Sequence, residues 1–121
     1  MSQILIIEDE PRIAAFLEKG LRKHGYETAI ATDGAEALKM VQQESFDLLL
    51  LDLGLPVKDG WTVLKELKQT QQNVPNVIIL TARADDSDRF NSVQLGAKDY
   101  ITKPFRLNEL ISRVQSILAG Q

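Results

Sequence analysis

Cysteine is absent from the 121-residue sequence. That excludes disulfides and thiolate metal sites and is compatible with a reducing compartment. Long hydrophobic runs are absent too. After Met1-Ser2-Gln3 the chain is apolar only over residues 4–7, which lacks the length and basic start of a secretion signal. The later run 48–51 is far too short to span a bilayer. The expected location is the cytoplasm, with no membrane partner. Positive charge is not in excess: 14 Lys and Arg against 17 Asp and Glu leave a net charge of −3. Such a domain has no electrostatic reason to bind nucleic acid directly. There is no internal repeat, low-complexity tract or linker. What is present is a 44% hydrophobic content, enough for a sizeable core, in a length that fits one domain, 1–121.

Two kinds of segment alternate. Short β-branched or leucine-rich runs at 3–8, 27–31, 46–52, 76–81 and 99–102 predict strands. Helical spacing fills the gaps. Pro11 suits a first helical turn, and Ala14, Leu17 and Leu21 form a stripe that ends near Gly25. Asp33-Gly34 opens a helix carrying Leu38 and Val41; Asp59-Gly60 opens one carrying Trp61, Leu64 and Leu67. A fourth helix is expected over 84–95, stopping at Gly96, and a last one over 107–118, with Leu107, Leu110, Ile111, Val114 and Leu118 on one face. The runs 4–7, 48–51 and 77–80 are continuously apolar, as strands buried on both faces must be. The pattern is an α/β fold, (βα) five times: a doubly wound five-stranded parallel sheet of order 2-1-3-4-5, the flavodoxin-like order.

In such a sheet ligands bind beyond the carboxyl ends of the strands, where the order reverses. Glu8, Asp9 and Asp52 should converge there. Three carboxylates repel one another and call for a cation, and an all-oxygen ligand set indicates Mg²⁺, Mn²⁺ or Ca²⁺. The Gly54 carbonyl is a candidate further ligand. Lys103 supplies positive charge opposite, Thr81 a hydroxyl, and Ala82 an unobstructed backbone N–H. Carboxylate, divalent cation, lysine and hydroxyl together describe phosphoryl transfer to an aspartate, with Asp52 as nucleophile. Each residue alone has an ordinary reading. Glu8-Asp9-Glu10 before Pro11 could be a helix cap, Asp52 a turn residue, Thr81 a strand or cap residue and Lys103 a solvated lysine. The weight lies in four coincident strand ends with complementary chemistry.

Other activities on this topology stay in view. A phosphatase or phosphomutase using an aspartyl-phosphate usually has a second aspartate two residues after the nucleophile; that position is Gly54. A flavin module would need a Ser/Thr/Gly-rich phosphate loop after the first strand, where Glu8-Asp9-Glu10-Pro11 would repel phosphate. A metal-binding domain that is never phosphorylated would have no use for Thr81 and Lys103.

Over essentially its whole length the sequence closely resembles the receiver domain of two-component response regulators. The resemblance is carried by Ile4-Leu5-Ile6-Ile7-Glu8-Asp9-Glu10, Asp52-Leu53-Gly54-Leu55-Pro56 with Asp59-Gly60, Leu80-Thr81-Ala82-Arg83, and Gly96-Ala97-Lys98-Asp99-Tyr100-Ile101-Thr102-Lys103-Pro104-Phe105. The last two blocks resemble the subfamily with a C-terminal winged-helix DNA-binding domain; the chain ends at Gln121, where a linker to such an effector would begin. The resemblance implies that Asp52 accepts a phosphoryl group from a sensor histidine kinase, with Mg²⁺ (or Mn²⁺) held by Asp9, Asp52 and the Gly54 carbonyl, and by Glu8 through water. It implies that Thr81 and Lys103 grip the phosphoryl oxygens and that Tyr100 turns inward as the threonine moves; a buried tyrosine with a solvated hydroxyl would look the same without any switch. It implies a signalling phosphoacceptor that assists its own phosphorylation and slow autodephosphorylation, and a cis peptide at Lys103-Pro104, where sequence statistics alone favour trans. It departs at Gly54, where many relatives carry a larger side chain, and at Lys98, where the subfamily usually has an acid.

Two surfaces are implied as well. Phe16 lies off the core stripe of the first helix and Ile13 at its edge, which fits kinase docking beside the site. On phosphorylation, a two-fold homodimer is expected through the stretch 84–95, the fifth strand and the last helix, to control transcription through a DNA-binding domain. Phe90, Val93 and Ile111 would form its apolar patch, Arg89 would pair with Glu109 across the axis, and Asp99 with Arg113.

Overall fold

The computed structural model describes residues 2–54, 60–70, 75–82, 94 and 96–120. In chain order these form β1 (Gln3–Ile7), α1 (Pro11–Lys23), β2 (Glu27–Ala31), α2 (Gly34–Gln43), β3 (Leu48–Asp52), α3 (Gly60–Thr70), β4 (Asn76–Thr81), β5 (Asp99–Thr102) and α4 (Leu107–Ala119). The helix expected over 84–95, with Arg89, Phe90 and Val93, lies outside the described residues. The five strands make one parallel sheet of order β2-β1-β3-β4-β5, as the alternation of segments predicts. No described helix is long and apolar enough to cross a membrane.

Local chemistry sets the boundaries. Pro11 stands at the start of α1, where its missing N–H costs nothing. Asp33 caps α2, its Oδ1 accepting the Glu36 N–H at 2.8 Å, and Glu36 Oε1 accepts the Thr32 N–H at 3.2 Å in return. Gly25 (φ 89°) and Gly96 (φ 91°) take left-handed conformations that favour glycine, at the two places where a helix stop is expected. β3 begins at Leu48 rather than at 46, and β1 ends at Ile7, although the Glu8 N–H still reaches the Ala31 carbonyl at 3.0 Å.

Strand alternation divides the apolar residues into two cores, one on each face of the sheet. Ile4, Ile6, Leu48, Leu50, Ile78, Leu80 and Ile101 pack with Ala14, Leu17 and Leu21 of α1 and Leu110, Ile111 and Val114 of α4. Leu5, Ile7, Leu49, Leu51, Val77 and Ile79 pack with Val41 of α2 and Val63, Leu64 and Leu67 of α3. Continuing the alternation past the last apolar residue, Glu8, Asp52 and Lys103 belong to the first face. Thr81 belongs to the second, as does Tyr100, which packs at the edge of that core. The period-two pattern that builds the cores therefore also sorts the polar groups at their rim.

Candidate functional site

The register brings the carboxyl ends of the central strands level, with Ile7 opposite Leu51 and Asp52 opposite Leu80. Glu8 and Asp52 are only 2% and 7% exposed, while Asp9 faces solvent. One carboxylate oxygen from each of Glu8, Asp9 and Asp52 lies within 4.8 Å of the others. The Lys103 ammonium approaches from β5, 3.3 Å from Asp52 Oδ2 and 3.7 Å from Glu8 Oε2. Its own backbone is tied into the sheet by the Lys103 N–H donating to the Thr81 carbonyl at 2.7 Å. The Lys103–Pro104 peptide is cis, as the family resemblance implies. On the far side the Gly54 N–H donates to Asp52 Oδ1 at 3.1 Å.

The helix-cap reading of Glu8-Asp9-Glu10 fails on geometry. Glu10 occupies the cap position of α1 and makes no side-chain capping bond, and Glu8 is turned into the crevice. Glu8 Oε2 is buried without a hydrogen-bond partner among the described residues, a costly state for a carboxylate unless a cation or proton satisfies it. Burial, reinforced by the hydrogen bond to Asp52 and by the negative charge of Asp52, pushes the Glu8 carboxyl up to about 8. Burial also pushes on Asp52, but the hydrogen bonds from Glu8 and from the Gly54 N–H, with the Lys103 charge, hold it below its ordinary value. The two shifts run apart, Glu8 toward its protonated form and Asp52 toward its ionised form.

A cavity of about 500 Å³ opens beside Asp52, walled by Leu53, Gly54, Trp61, Thr81, Ala82 and Lys103. Thr81, 3% exposed, stands at the end of β4 next to it. The described structure thus brings Glu8, Asp9, Asp52 and Lys103 together, with Gly54, Thr81 and Ala82 lining the cavity beside them. Trp61 is an addition: sequence periodicity assigns it to the core stripe of α3, whereas its half-buried ring also lines the cavity. The available signal was its place in the first turn after Asp59-Gly60, at the strand-end side of the sheet.

The surface residues divide. Phe16 is 52% exposed, the only large hydrophobe so exposed among the described residues, and Ile13 is half-buried beside it. Ile111 is corrected: at 4% exposure it belongs to the core under α4 and offers no surface patch. The i, i+1, i+4 grouping of Leu110, Ile111 and Val114 turns all three toward the sheet. Arg113 makes its pairs within the chain, Nη1 to Asp99 Oδ1 at 2.6 Å and Nη2 to Glu109 Oε1 at 3.3 Å. Tyr100 is half-buried, and Lys98 is exposed.

A family model described as the response regulator receiver domain matches residues 4–115. The transcriptional activator protein IrlR of Burkholderia pseudomallei is 45% identical over 116 residues, 96% of this chain and 50% of that protein. The receiver domain of Francisella response regulator 1452 superposes with a TM-score of 0.91 at 33% identity, covering 97% of this chain and 96% of that one. Response regulator TrrA of Thermotoga maritima, in complex with Mg²⁺-BeF, superposes with a TM-score of 0.85 at 32% identity, covering 97% and 99%. The chain spans about half the length of the curated relatives it matches.

The Glu8–Asp52 pair gives a pH signature. Glu8 titrates near 4.5 in the unfolded chain and near 8 in the folded one. Between those values the folded state binds the extra proton, so the Glu8 contribution to stability is fully present below 4.5 and is lost as pH rises toward 8. Asp52 acts oppositely and only in acid, stabilising above its ordinary value and losing that contribution as pH falls through its lowered one. Urea unfolding in EDTA should therefore show stability declining from pH 5 to 8, and Glu8→Gln should flatten that decline. An unchanged slope in Glu8→Gln would assign the pH dependence elsewhere.

Proposed function

This chain belongs to the response regulator receiver domain family, and from that premise we propose that Asp52 accepts a phosphoryl group from the phosphohistidine of a sensor kinase. The observation that carries this reading is the convergence of one lysine and two buried carboxylates, Asp52 and Glu8, on a single crevice, 3.3 and 3.7 Å respectively from the ammonium. Asp52 holds the negative charge, as a nucleophile must. A carboxylate oxygen attacks phosphorus and the P–N bond breaks. The imidazole nitrogen keeps the electron pair, and Asp52 becomes an acyl phosphate. Lys103 would donate to one phosphoryl oxygen as an ion pair, and Thr81 and Ala82, which line the same cavity, would supply a hydroxyl and a backbone N–H to the others. Slow autodephosphorylation would be attack of water on the phosphorus, breaking its bond to the Asp52 oxygen and releasing inorganic phosphate and the free carboxylate.

The residues fit a divalent cation. Oxygen ligands without nitrogen or sulfur suit Mg²⁺ or Mn²⁺, and the orphaned Glu8 Oε2 lacks a positive partner at hydrogen-bond distance. Asp9, Asp52 and the Gly54 carbonyl would hold the ion, with Glu8 reaching it through water. When bound, Mg²⁺ neutralises charge spread over the transferring oxygens. The Mg²⁺-BeF complex of the Thermotoga relative supports the same assignment here.

We place the kinase contact on Ile13 and Phe16 of α1, because Phe16, at 52% exposure, is the one large hydrophobe so exposed among the described residues. We place the output on β5, α4 and the stretch 84–95, with Thr81 and Tyr100, at the rim of one core face, as the pair that relays the change. In the longer relatives that output is transcription. Because Arg113 already holds Asp99 within the chain, a two-fold pairing must exchange that bond rather than form it anew, and exposed ion pairs return at most about 1 kcal/mol each. With Lys98 also reversing a charge on this surface, the dimer should be weaker than in those relatives.

Three results are expected. Acetyl phosphate with Mg²⁺ should label the protein on Asp52, and Asp52→Asn should abolish labelling; retained labelling at the wild-type level would remove Asp52 from the role. Ile13→Ala/Phe16→Ala should accept phosphate from acetyl phosphate normally but from its kinase several-fold more slowly, and equal kinase rates would refute the docking surface. Sedimentation with Mg²⁺ and beryllofluoride should show a concentration-dependent dimer that the untreated protein lacks. A monomer at high concentration in both would refute the output surface.

A further inference from the structure

The first turn of α3 lies directly on the backbone that carries Asp52. A Cβ placed on Gly60 would fall 2.7 Å from Leu53 Cα, 2.8 Å from the Asp52 carbonyl oxygen and 2.8 Å from Leu53 Cδ2. Two of these three atoms are main chain and cannot rotate away. Other described glycines differ. A Cβ on Gly20 would meet only the Leu107 side chain, at 2.7 Å, and one on Gly54 only Asp52 Oδ1, at an ordinary 3.7 Å.

Hydrogen bonds fix the same approach. The Gly60 N–H donates to the Leu53 carbonyl and the Leu53 N–H to the Leu80 carbonyl, both at 3.1 Å. Leu53 is pinned between α3 and β4, and the next amide, Gly54 N–H, holds Asp52 Oδ1 at 3.1 Å. The placement of the Asp52 carboxylate thus depends on a three-residue turn that α3 can touch only if residue 60 has no side chain. Opposite it, the Lys103 ammonium stands 3.3 Å from Asp52 Oδ2, a separation with little slack for a shift of the turn.

We propose that Gly60 is a positioning residue for phosphoryl transfer: its bare Cα lets α3 clamp the Asp52-Leu53-Gly54 turn and hold the acceptor carboxylate against Lys103. The proposal rests on Asp52 as the acceptor. A side chain at 60 must push the turn outward by several tenths of an ångström, and misplacement on the order of 1 Å can cost about a hundredfold in rate.

The test is Gly60→Ala, with rates expressed per folded molecule. At saturating Mg²⁺ the maximal rate of labelling by acetyl phosphate should fall about tenfold or more, with little change in the donor concentration giving half that rate. The amide proton of Gly54, which reports its bond to Asp52 Oδ1, should shift in the metal-free protein, a readout that needs no phosphorylation. Leu53→Ala/Gly60→Ala removes the side-chain conflict but not the two main-chain ones, so it should keep both defects; it is also the variant to read should Gly60→Ala not fold. Restoration of the wild-type rate and shift in the double variant would overturn the proposal, as would a Gly60→Ala protein that is less stable but unchanged in rate and Gly54 shift. Failure of both variants to fold would likewise overturn it, leaving Gly60 a purely structural contact. Absence of labelling in the unsubstituted protein would instead count against Asp52 as acceptor, and the Gly54 shift would still decide the role of Gly60.

Discussion

Two carboxylates held out of water within reach of one ammonium are the constraint around which this fold is arranged. Glu8 and Asp52 would both be ionised in solution, and bringing them together in a crevice that excludes solvent is unfavourable. The surroundings offset that cost in three ways: a Glu8 carboxyl shifted by burial toward its neutral form, the Lys103 charge, and the Gly54 amide turned onto Asp52. None of the three completes the site. A buried oxygen of Glu8 is left without a hydrogen-bond partner among the described residues, a deficit that a cation bound as proposed would fill.

The means of enforcing this proximity is the apolar sheet. β1, β3 and β4 are covered on both faces, and every residue from Leu48 to Asp52 is buried. Strands with such little freedom to shift set their ends with matching precision, so the charged residues one step beyond them inherit fixed positions. Rigid support beneath a reactive group is the usual requirement for precise placement. Here the same leucines and isoleucines that hold the chain together also determine which way Glu8, Asp52 and Lys103 point.

Much of this was legible in the sequence because the signals were periodic. Continuous apolar runs identified the central strands, and their order located the crevice before any side chain was placed. What the sequence left open has a different cause. Ile111 lies on α4 where core stripe and surface adjoin, and spacing alone could assign it to either; burial decides for the core. Asp99 and Arg113 carry opposite charges that sequence can pair but cannot assign to one molecule or two, and the structure joins them within one. Trp61 packs against the core and Gly60 opens α3, as their positions in the sequence predict. Their closeness to Asp52 depends on how α3 crosses the end of β3, a three-dimensional fact with no periodic trace.

The register of β3 has one more consequence. Ile4 faces Leu48 and Leu48 faces Asn76 in an unbroken ladder, and a slip by one residue would exchange the contents of both cores. It would also carry Leu53 or Leu51 to the place of Asp52. A mispaired molecule would keep Glu8 and Asp9 at the crevice but lose the buried carboxylate that stands 3.3 Å from Lys103. With Asp52 as the acceptor proposed above, correct strand alignment would be a condition of receiving the phosphoryl group as well as of stability.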